Sequence, residues 1–408
     1  MHDSKPAIAR APKYDEVHRA AEVAQLAFET ESIQTWLSSF SWIADNEGLD
    51  HLVVTEAQEE IVAALVCTPG TCYITNDLVP FSAVGSVATH PDHRMHGYAG
   101  MIMTKSVQVL YEKAYHTSAL WPFSYNYYRK FGWELGGEIR SYTMPSEFAA
   151  SLTDPSGTRP ATRDDLPAIN ALFDQMARNY TCCCVRNERW WGFKIAVHDL
   201  KLDGTDDPRT SLPVMVHETD GKIDGYVMFN ISGEGENESI KGRELIAENP
   251  QARRSILAAL AGFGAPVVKF FAPINDGFLQ ELPNPRAVRV DIEPGFQFRV
   301  VNPSAALEMR SVDTSISGKL GFTITDPVLD TFDFDTEVSE GRITKVNSRA
   351  KERLYMDIQT FAQLYSGYVR PVRAYELGRI QPTSKEAIEF AEKVFPKAIP
   401  FRPLVEVG

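Results

Sequence analysis

Alternating apolar and polar residues predict paired strands at two places in the chain. Residues 54–66 contain two β-branched runs around a short charged turn, and residues 216–228 have the same layout. Such runs are typical of β-hairpins. A helix-like segment follows each predicted hairpin, after His90-Pro91 in one case and after Asn249-Pro250 in the other. The pattern therefore predicts two related units of strands and helices in tandem.

Turn-forming residues divide the chain further. Residues 154–160 are rich in turn formers, as a linker would be, and a third unit begins near residue 301. It has alternating strands at 320–324 and 342–346, followed by two helical patterns. We therefore predict three domains, at residues 1–150, 151–300 and 301–408. The predicted fold class is α/β or α+β throughout, because strands and helices occur in all three.

Charge and composition exclude some functions. The formal net charge of −13 argues against a nucleic-acid partner and is compatible with cationic substrates. The longest apolar stretch, residues 256–268, is shorter than the roughly 20 residues that cross a bilayer. The start of the chain lacks the apolar core of a signal peptide. We therefore expect a cytoplasmic protein without a membrane span.

The five cysteines include three adjacent ones at 182–184, an arrangement that fits neither a disulfide framework nor a zinc site. His90 and His93 lie in a predicted turn with no third ligand in evidence, so we expect no metal.

The candidate chemistry lies between residues 85 and 110. A short strand and a His-Pro turn precede the sequence Arg94-Met-His-Gly-Tyr-Ala-Gly100, and an amphipathic helix follows. The first N–H groups of a helix have no intrahelical partner, and the helix dipole is positive there. Gly97 lets an anion approach the backbone closely, and Arg94 adds a positive charge. The segment therefore suits a pyrophosphate.

This order of strand, turn, Arg-x-x-Gly-x-Ala and helix resembles motif A of the GCN5-related N-acetyltransferases (GNAT). The resemblance implies that the strand backbone pairs with the pantetheine arm of acetyl-CoA, the co-substrate. The cofactor-binding residues that it implies are Val87, Ala88, Thr89, Arg94, Met95, Gly97, Tyr98, Ala99 and Gly100.

A second block, residues 118–134, resembles the later strand of that family and its Tyr-x-x-x-Gly-Phe-like turn. The variant Tyr128-Arg-Lys-Phe-Gly-Trp133 is similar to the "enhanced intracellular survival" (Eis) type. In that type, two tandem acetyltransferase regions precede a sterol-carrier-like domain. The resemblance implies that Tyr128 is the general acid, and a phenol of pKa about 10 can protonate a departing thiolate.

The second repeat differs at the corresponding positions. Ile256 and Ala258 stand where the first repeat has Gly97 and Ala99. A β-branched residue does not suit a loop that an anion must approach closely. We therefore expect one CoA site per chain.

The resemblance also implies a catalytic role for the chain end. The α-carboxylate of Gly408 would accept the proton of the amine, and the chain would form a homo-oligomer such as a hexamer. Family chains often end on an anchoring aromatic residue, whereas this chain ends on glycine. We therefore expect either a mobile Gly408 carboxylate or a Glu406 side chain that takes part of this role.

The function implied is acetyl-CoA-dependent N-acetylation of primary amines. The family resemblance implies aminoglycosides, polyamines or lysine side chains as the amine substrates. Two alternatives stay open at this point. The chain could bind an apolar ligand through its third domain without catalysis, or it could be a CoA-sensing protein. Turnover of acetyl-CoA with a panel of amines separates the three.

Overall fold

A computed structural model describes residues 6–30, 32–197, 200–202 and 207–406. The chain forms two compact units. The first contains residues up to Gly137 together with Phe296–Pro400, and the second contains Glu138–Gly295 with the tail that begins at Phe401. In the part of the chain that is described, no helix combines the length and apolarity needed to cross a membrane.

The strands, in chain order, are β1 (Ile8–Arg10), β2 (Leu52–Ala57), β3 (Glu60–Ile74), β4 (Asp77–Thr89), β5 (Thr117–Leu120), β6 (Glu134–Leu135), β7 (Glu138–Pro145), β8 (Thr158–Pro160), β9 (Leu200–Lys201), β10 (Leu212–Thr219), β11 (Lys222–Ser232), β12 (Ser239–Ala247), β13 (Val267–Pro273), β14 (Arg289–Pro294), β15 (Gln297–Val300), β16 (Gly318–Asp326), β17 (Asp330–Ser339), β18 (Arg342–Val346), β19 (Arg353–Asp357) and β20 (Gln381–Pro382).

The α-helices are α1 (Val17–Phe28), α2 (Gln34–Asn46), α3 (Tyr98–Glu112), α4 (Tyr125–Arg129), α5 (Ser146–Ala150), α6 (Leu166–Ala177), α7 (Glu188–Val197), α8 (Pro250–Ala261), α9 (Pro303–Glu308), α10 (Ile358–Tyr365), α11 (Pro371–Glu376) and α12 (Lys385–Val394).

The described residues of the first unit form two sheets. The larger has the strand order β1-β2-β3-β4-β5-β15-β6, and the smaller has the order β18-β17-β16-β19-β20. The predicted hairpin at 54–66 is confirmed, since Val54 pairs with Ala64 across β2 and β3. The two helical patterns predicted for the third domain are confirmed as α10 and α12, whose first turns are capped by Asp357 and Ser384.

The second unit is built on one mixed sheet. Its described strands follow the order β14-β7-β13-β12-β11-β10-β8, and β9 pairs with β10. The predicted hairpin at 216–228 is confirmed by the antiparallel pairing of Val216 with Tyr226. Helix α8 packs its buried face on this sheet, in a core that includes Tyr142, Phe270 and Ile256.

Two strands lie in sheets that the local sequence does not indicate. β7 falls within the predicted first domain, yet it pairs with β13 and β14 of the second unit. β15 closes the predicted second domain, yet it pairs with β5 and β6 of the first unit. Each large sheet therefore includes one strand from the other half of the tandem, and the chain changes unit near residues 137 and 296.

Ile256 provides a test of the second core. Its side chain is fully buried, and Ile256→Ala removes three carbon atoms from a packed interior. We expect a loss of about 2–5 kcal/mol in the free energy of unfolding of that unit, measured by urea denaturation. Ile292→Ala, at a position that is 54% exposed, is the control and should change stability little. Equal effects of the two substitutions would contradict the assignment of Ile256 to the core.

Candidate active site

Strands β4 and β5 run parallel but separate after three residue pairs. They pair only from Phe81–Thr117 to Ala83–Ala119, whereas β4 continues to Thr89. Its opposite edge stays paired with β3 along this stretch, down to the pair of Thr89 with Ala63. The edge that faces β5 therefore presents backbone N–H and C=O groups that a ligand can pair with, since an unpaired strand edge keeps its hydrogen-bonding capacity.

A β-bulge marks the point of separation. Gly85 pairs with Val66 and Ala88 pairs with Ala64, so two residues of β4 oppose one residue of β3. Ser86, the first of the two, has a φ of 53°. A bulge bends its strand and increases the local twist. The bulge thus accompanies the opening of the gap between β4 and β5.

The predicted anion-binding loop joins β4 to α3. A short 3₁₀ turn at Pro91–His93 follows the strand, and Gly97 caps α3 with a φ of 82°. A Cβ at Gly97 would meet no protein atom within 4 Å, so the space in front of its backbone is open. The fully exposed Met95 also has a positive φ, and Arg94 donates to the carbonyl of Ala27 at 3.3 Å.

The structure brings the predicted cofactor-binding residues together around this loop. Val87, Ala88 and Thr89 end β4, while Tyr98, Ala99 and Gly100 form the first turn of α3. The Thr89 hydroxyl is buried and, among the described residues, has no hydrogen-bond partner. This donor set of open strand edge, glycine loop and helix N-terminus fits the pantetheine and pyrophosphate parts of acetyl-CoA.

A groove of about 450 Å³ lies along α3, beside its N-terminal glycine loop. It is lined by Ala9, Gly97, Gly100, Met101, Thr104, Lys105, Gln108 and Phe131. Lys105 adds a positive charge that was missed in the sequence. The signal was present, because positions 97, 101, 104, 105 and 108 recur at helical spacing. A Cβ at Gly100 would lie 3.8 Å from Phe131, so a large side chain there would fill the groove.

Tyr128 lies in α4, shortly after β5. Its side chain belongs to the same buried cluster as Val84 of β4 and Met103 of α3. The rings of Phe123 and Tyr127 lie 5.3 and 5.2 Å from its ring. Burial, with a smaller contribution from Tyr127, holds the pKa of the Tyr128 phenol well above its usual value. The phenol is therefore protonated at neutral pH, as a general acid must be.

The second sheet repeats the separation of strands without the loop. β12 and β13 pair in parallel only from Ser239–Val267 to Gly242–Phe270. Helix α8 then begins directly at Pro250, and the Asn249 side chain accepts from the amide of Ala252 at 2.9 Å. The predicted equivalence of Ile256 and Gly97 is wrong, because Ile256 lies inside α8 and faces the core. Among its described residues, the second repeat has no segment equivalent to residues 94–97.

The cleft beside β12 is lined in part by the tail of the chain. It has a volume of about 490 Å³, and Phe401 and Pro403 contribute to its wall. Arg243 of β12 donates to the carbonyl of Leu404 at 3.3 Å. In the second unit, the tail therefore contacts the strand that corresponds to β4.

Gly408 and Glu406 are the two candidates for the proton acceptor near the chain end. Gly408 lies outside the described residues. The Glu406 carboxylate is fully buried, 3.4 Å from both Arg186 and Arg402, and it accepts from the amide of Cys184 at 3.1 Å. Two guanidinium groups and a backbone amide thus hold this carboxylate, which anchors the tail within the second unit.

Comparison with known families agrees with this architecture. Residues 9–136 and 182–300 each match a model described as acetyltransferase (GNAT) domain, and residues 303–403 match one described as sterol carrier protein domain. The chain contains two GNAT domains followed by a sterol carrier protein domain. The predicted fold class and the predicted enzyme class, acetyltransferase, are thereby confirmed.

Solved structures with the same fold span almost the whole chain. One is a GCN5-related N-acetyltransferase from Anabaena variabilis ATCC 29413, with 18% identity, a TM-score of 0.79, and 97% of this chain and 99% of that chain covered. A probable N-acyltransferase from Enterococcus faecalis V583 has 19% identity and a TM-score of 0.81, with 98% and 99% covered. Eis1 from Mycobacterium abscessus has 19% identity and a TM-score of 0.72, with the same coverage. At these identities the likeness shows the fold. No protein with a curated description matches the chain significantly.

The loop of the first GNAT domain can be tested with a matched pair of glycines. Gly97 and Gly264 have φ values of 82° and 85°, and a Cβ at either meets nothing within 4 Å. Valine therefore strains both backbones similarly, but only Gly97 lies at the candidate site. We expect Gly97→Val to weaken CoA binding at least about tenfold, and Gly264→Val to leave it unchanged.

Isothermal titration calorimetry measures both the affinity and the stoichiometry. We expect one CoA per chain in the unmodified protein and in Gly264→Val. Unchanged affinity in a folded Gly97→Val variant would contradict the assignment of this loop to CoA. Two sites per chain would contradict the assignment of a single site to the first GNAT domain.

Proposed function

We propose that the protein transfers the acetyl group of acetyl-CoA to a primary amine, in the first GNAT domain, with Tyr128 as the general acid. The observation that carries the proposal is the gap between β4 and β5, with a glycine loop beside it and a buried phenol in the adjoining cluster. Acetyl-CoA supplies the activated acyl group, a thioester. The remaining requirements are met by residues of the chain.

Binding and polarisation are assigned to the backbone. The open edge of β4 after Ala83 offers amides and carbonyls to the pantetheine arm, and an amide near Val87 polarises the acyl carbonyl. The first amides of α3 bind the pyrophosphate together with Arg94. Lys105 adds a further positive charge along the groove.

We assign Tyr128 the role of donating a proton to the departing thiolate sulfur of CoA. Its raised pKa keeps it protonated across the range in which amines lose their own protons. The acidic form would be lost only as pH rises through that raised pKa. We therefore attribute the rise of turnover with pH to deprotonation of the amine, and we expect no descending limb from Tyr128 below about pH 10.

The substrate class follows from charge and family. The net charge of −13 favours cationic amines through long-range attraction. We therefore propose aminoglycosides, polyamines or lysine side chains as acceptors, and a cytoplasmic homo-oligomer such as a hexamer as the working form. A protein that only binds an apolar ligand or senses CoA would not require a general acid at this position.

The test of the acid compares two adjacent tyrosines. Tyr128→Phe keeps the ring and removes the hydroxyl, and a general acid contributes roughly 10²–10⁴ in rate. We expect kcat to fall by that range while acetyl-CoA still binds. Tyr127→Phe is the control, because the buried Tyr127 hydroxyl has no hydrogen-bond partner among the described residues. Its removal should be close to neutral.

Turnover is followed by release of the CoA thiol, detected with a chromogenic thiol reagent against a panel of amines. A loss of less than about threefold in Tyr128→Phe, against the hundredfold or more expected of an acid, would show that the ring only packs. Absence of turnover with every amine, with CoA binding intact, would favour a CoA-sensing protein.

The role proposed for the Gly408 carboxylate can be tested by moving it. A short Gly-Ser extension after Gly408 displaces the terminal charge and leaves all side chains in place. An α-carboxyl is ionised at neutral pH, and displacing a proton acceptor should cost a large part of kcat with CoA affinity nearly unchanged. The control carries the same extension at the N-terminus. Full activity of the C-terminally extended protein would exclude the chain end as the acceptor.

A further inference from the structure

The segment that carries Tyr128 is held by side chains from outside it. Residues 125–135 consist of the short helix α4, a turn and the two residues of β6. Their carbonyl groups accept hydrogen bonds from side chains of β15 and of the sterol carrier domain. The bonds run from Gln297 Nε2 to the carbonyls of Tyr125 (3.2 Å) and Trp133 (3.4 Å), from Arg299 Nη1 to Phe131 (2.6 Å), from Gln359 Nε2 to Arg129 (2.8 Å) and from Gln363 Nε2 to Leu135 (2.8 Å). We call these four donors, Gln297, Arg299, Gln359 and Gln363, the carbonyl clamp.

Arg299 is the centre of the carbonyl clamp. Its side chain is fully buried, and its Nη2 atom lies 2.6 Å from the carboxylate of Asp326, which is also fully buried. Asp326 is the last residue of β16, in the sterol carrier domain. One guanidinium therefore joins the Tyr128 segment to that domain through two charge-assisted hydrogen bonds.

Gly132 shows how closely the guanidinium approaches the segment. A Cβ at Gly132 would lie 1.5 Å from Arg299 Nη1 and 2.9 Å from Ile358. The turn after Tyr128 thus has no room for a side chain, because Arg299 and the start of α10 occupy that space.

Ion pairs of the buried Glu134 carboxylate connect the same segment and domain. Glu134 lies 3.0 Å from Arg129 and 3.6 Å from Arg379 of the sterol carrier domain. Arg379 also donates to the Gln363 side chain at 2.5 Å. The outer edge of the segment is therefore attached to the domain that supplies Gln359 and Gln363.

A helix as short as α4 needs such support. An isolated turn of helix is unstable in water, and the last carbonyls of a helix lack partners within it. General-acid catalysis demands a hydroxyl placed to within a fraction of an ångström, and a misplacement of about 1 Å can cost a hundredfold in rate. Local sequence alone does not provide this precision at Tyr128.

We propose that the sterol carrier domain acts in acyl transfer as a scaffold, with the carbonyl clamp as the set of positioning residues that place the Tyr128 hydroxyl. This rests on the proposed function of Tyr128. The clamp does not touch the reacting atoms; it fixes the backbone from which the phenol extends. The domain thereby acquires a role that does not require a lipid ligand.

The central test replaces two buried arginines, one in the carbonyl clamp and one outside it, each with lysine. Arg299→Lys keeps a positive charge but loses the planar fork that serves Phe131 and Asp326 together. Arg353→Lys is the control, since Arg353 is equally buried and bonds a carbonyl and carboxylates wholly within the sterol carrier domain. We expect Arg299→Lys to lower kcat at least about tenfold, with the KM for acetyl-CoA within about twofold. Arg353→Lys should leave kcat within about twofold.

A double variant separates positioning from general damage. If the carbonyl clamp acts through the Tyr128 hydroxyl, Arg299→Lys should cost nothing further in the Tyr128→Phe background. Additive losses would overturn the clamp and leave the acid in place. Full activity of Tyr128→Phe alone would instead overturn the acid, and with it the proposed function on which the clamp rests.

A milder substitution covers the case in which Arg299→Lys does not fold. Gln359→Glu keeps the shape of the side chain but turns the donor that faces the carbonyl of Arg129 into an acceptor. The exposed Gln381→Glu, in the same domain, matches its change of charge. We expect a selective fall in kcat for Gln359→Glu, again absent in the Tyr128→Phe background. Equal kcat values for the two glutamate variants would overturn the proposal.

Discussion

The buried ion pair between Arg299 and Asp326 constrains most of the first unit. Both side chains are fully buried, and removing one partner of such a pair typically costs about 3–5 kcal/mol. The guanidinium can reach Asp326 only if β15 completes the sheet beside β5, and it can reach Phe131 only if residue 132 is glycine. Arg299 therefore links the position of β15, the shape of the turn after Tyr128 and the packing of the smaller sheet of this unit.

The same opening between parallel strands occurs in both large sheets. In the first, β4 leaves β5 after Ala83 and is followed by a glycine loop. In the second, β12 leaves β13 after Gly242, but α8 begins at Pro250 without such a loop, and the tail lines the cleft with Phe401 and Pro403. A shared backbone geometry thus gives a candidate ligand site in one case and a docking place for the chain's own tail in the other.

Local pattern made part of this predictable. Neighbouring residues alone predict the hairpins at 54–66 and 216–228 and the glycine at the start of α3. Tyr128 was found because it lies in a motif of the resembling family. The sequence did not predict that β7 pairs with strands of the second unit and β15 with strands of the first. Strand pairing is decided by residues that are distant in the sequence. Ile256 was wrongly aligned with Gly97 because Asn249-Pro250 resembles His90-Pro91 in sequence. In the structure a helix begins directly at Pro250, whereas a loop follows Pro91 before α3 begins. Arg299 was not singled out, and Glu406 was considered only as a proton acceptor near the chain end, since nothing in the sequence marks a charge as buried.

The central claim is that the gap between β4 and β5 places a CoA thiol beside Tyr128. A crystal structure of the complex with CoA tests it directly. We predict one CoA per chain, its pantetheine arm paired with the β4 edge after Ala83, and its sulfur about 3–3.5 Å from the Tyr128 hydroxyl. A sulfur far from Tyr128, or CoA bound in the cleft beside β12, would contradict the account.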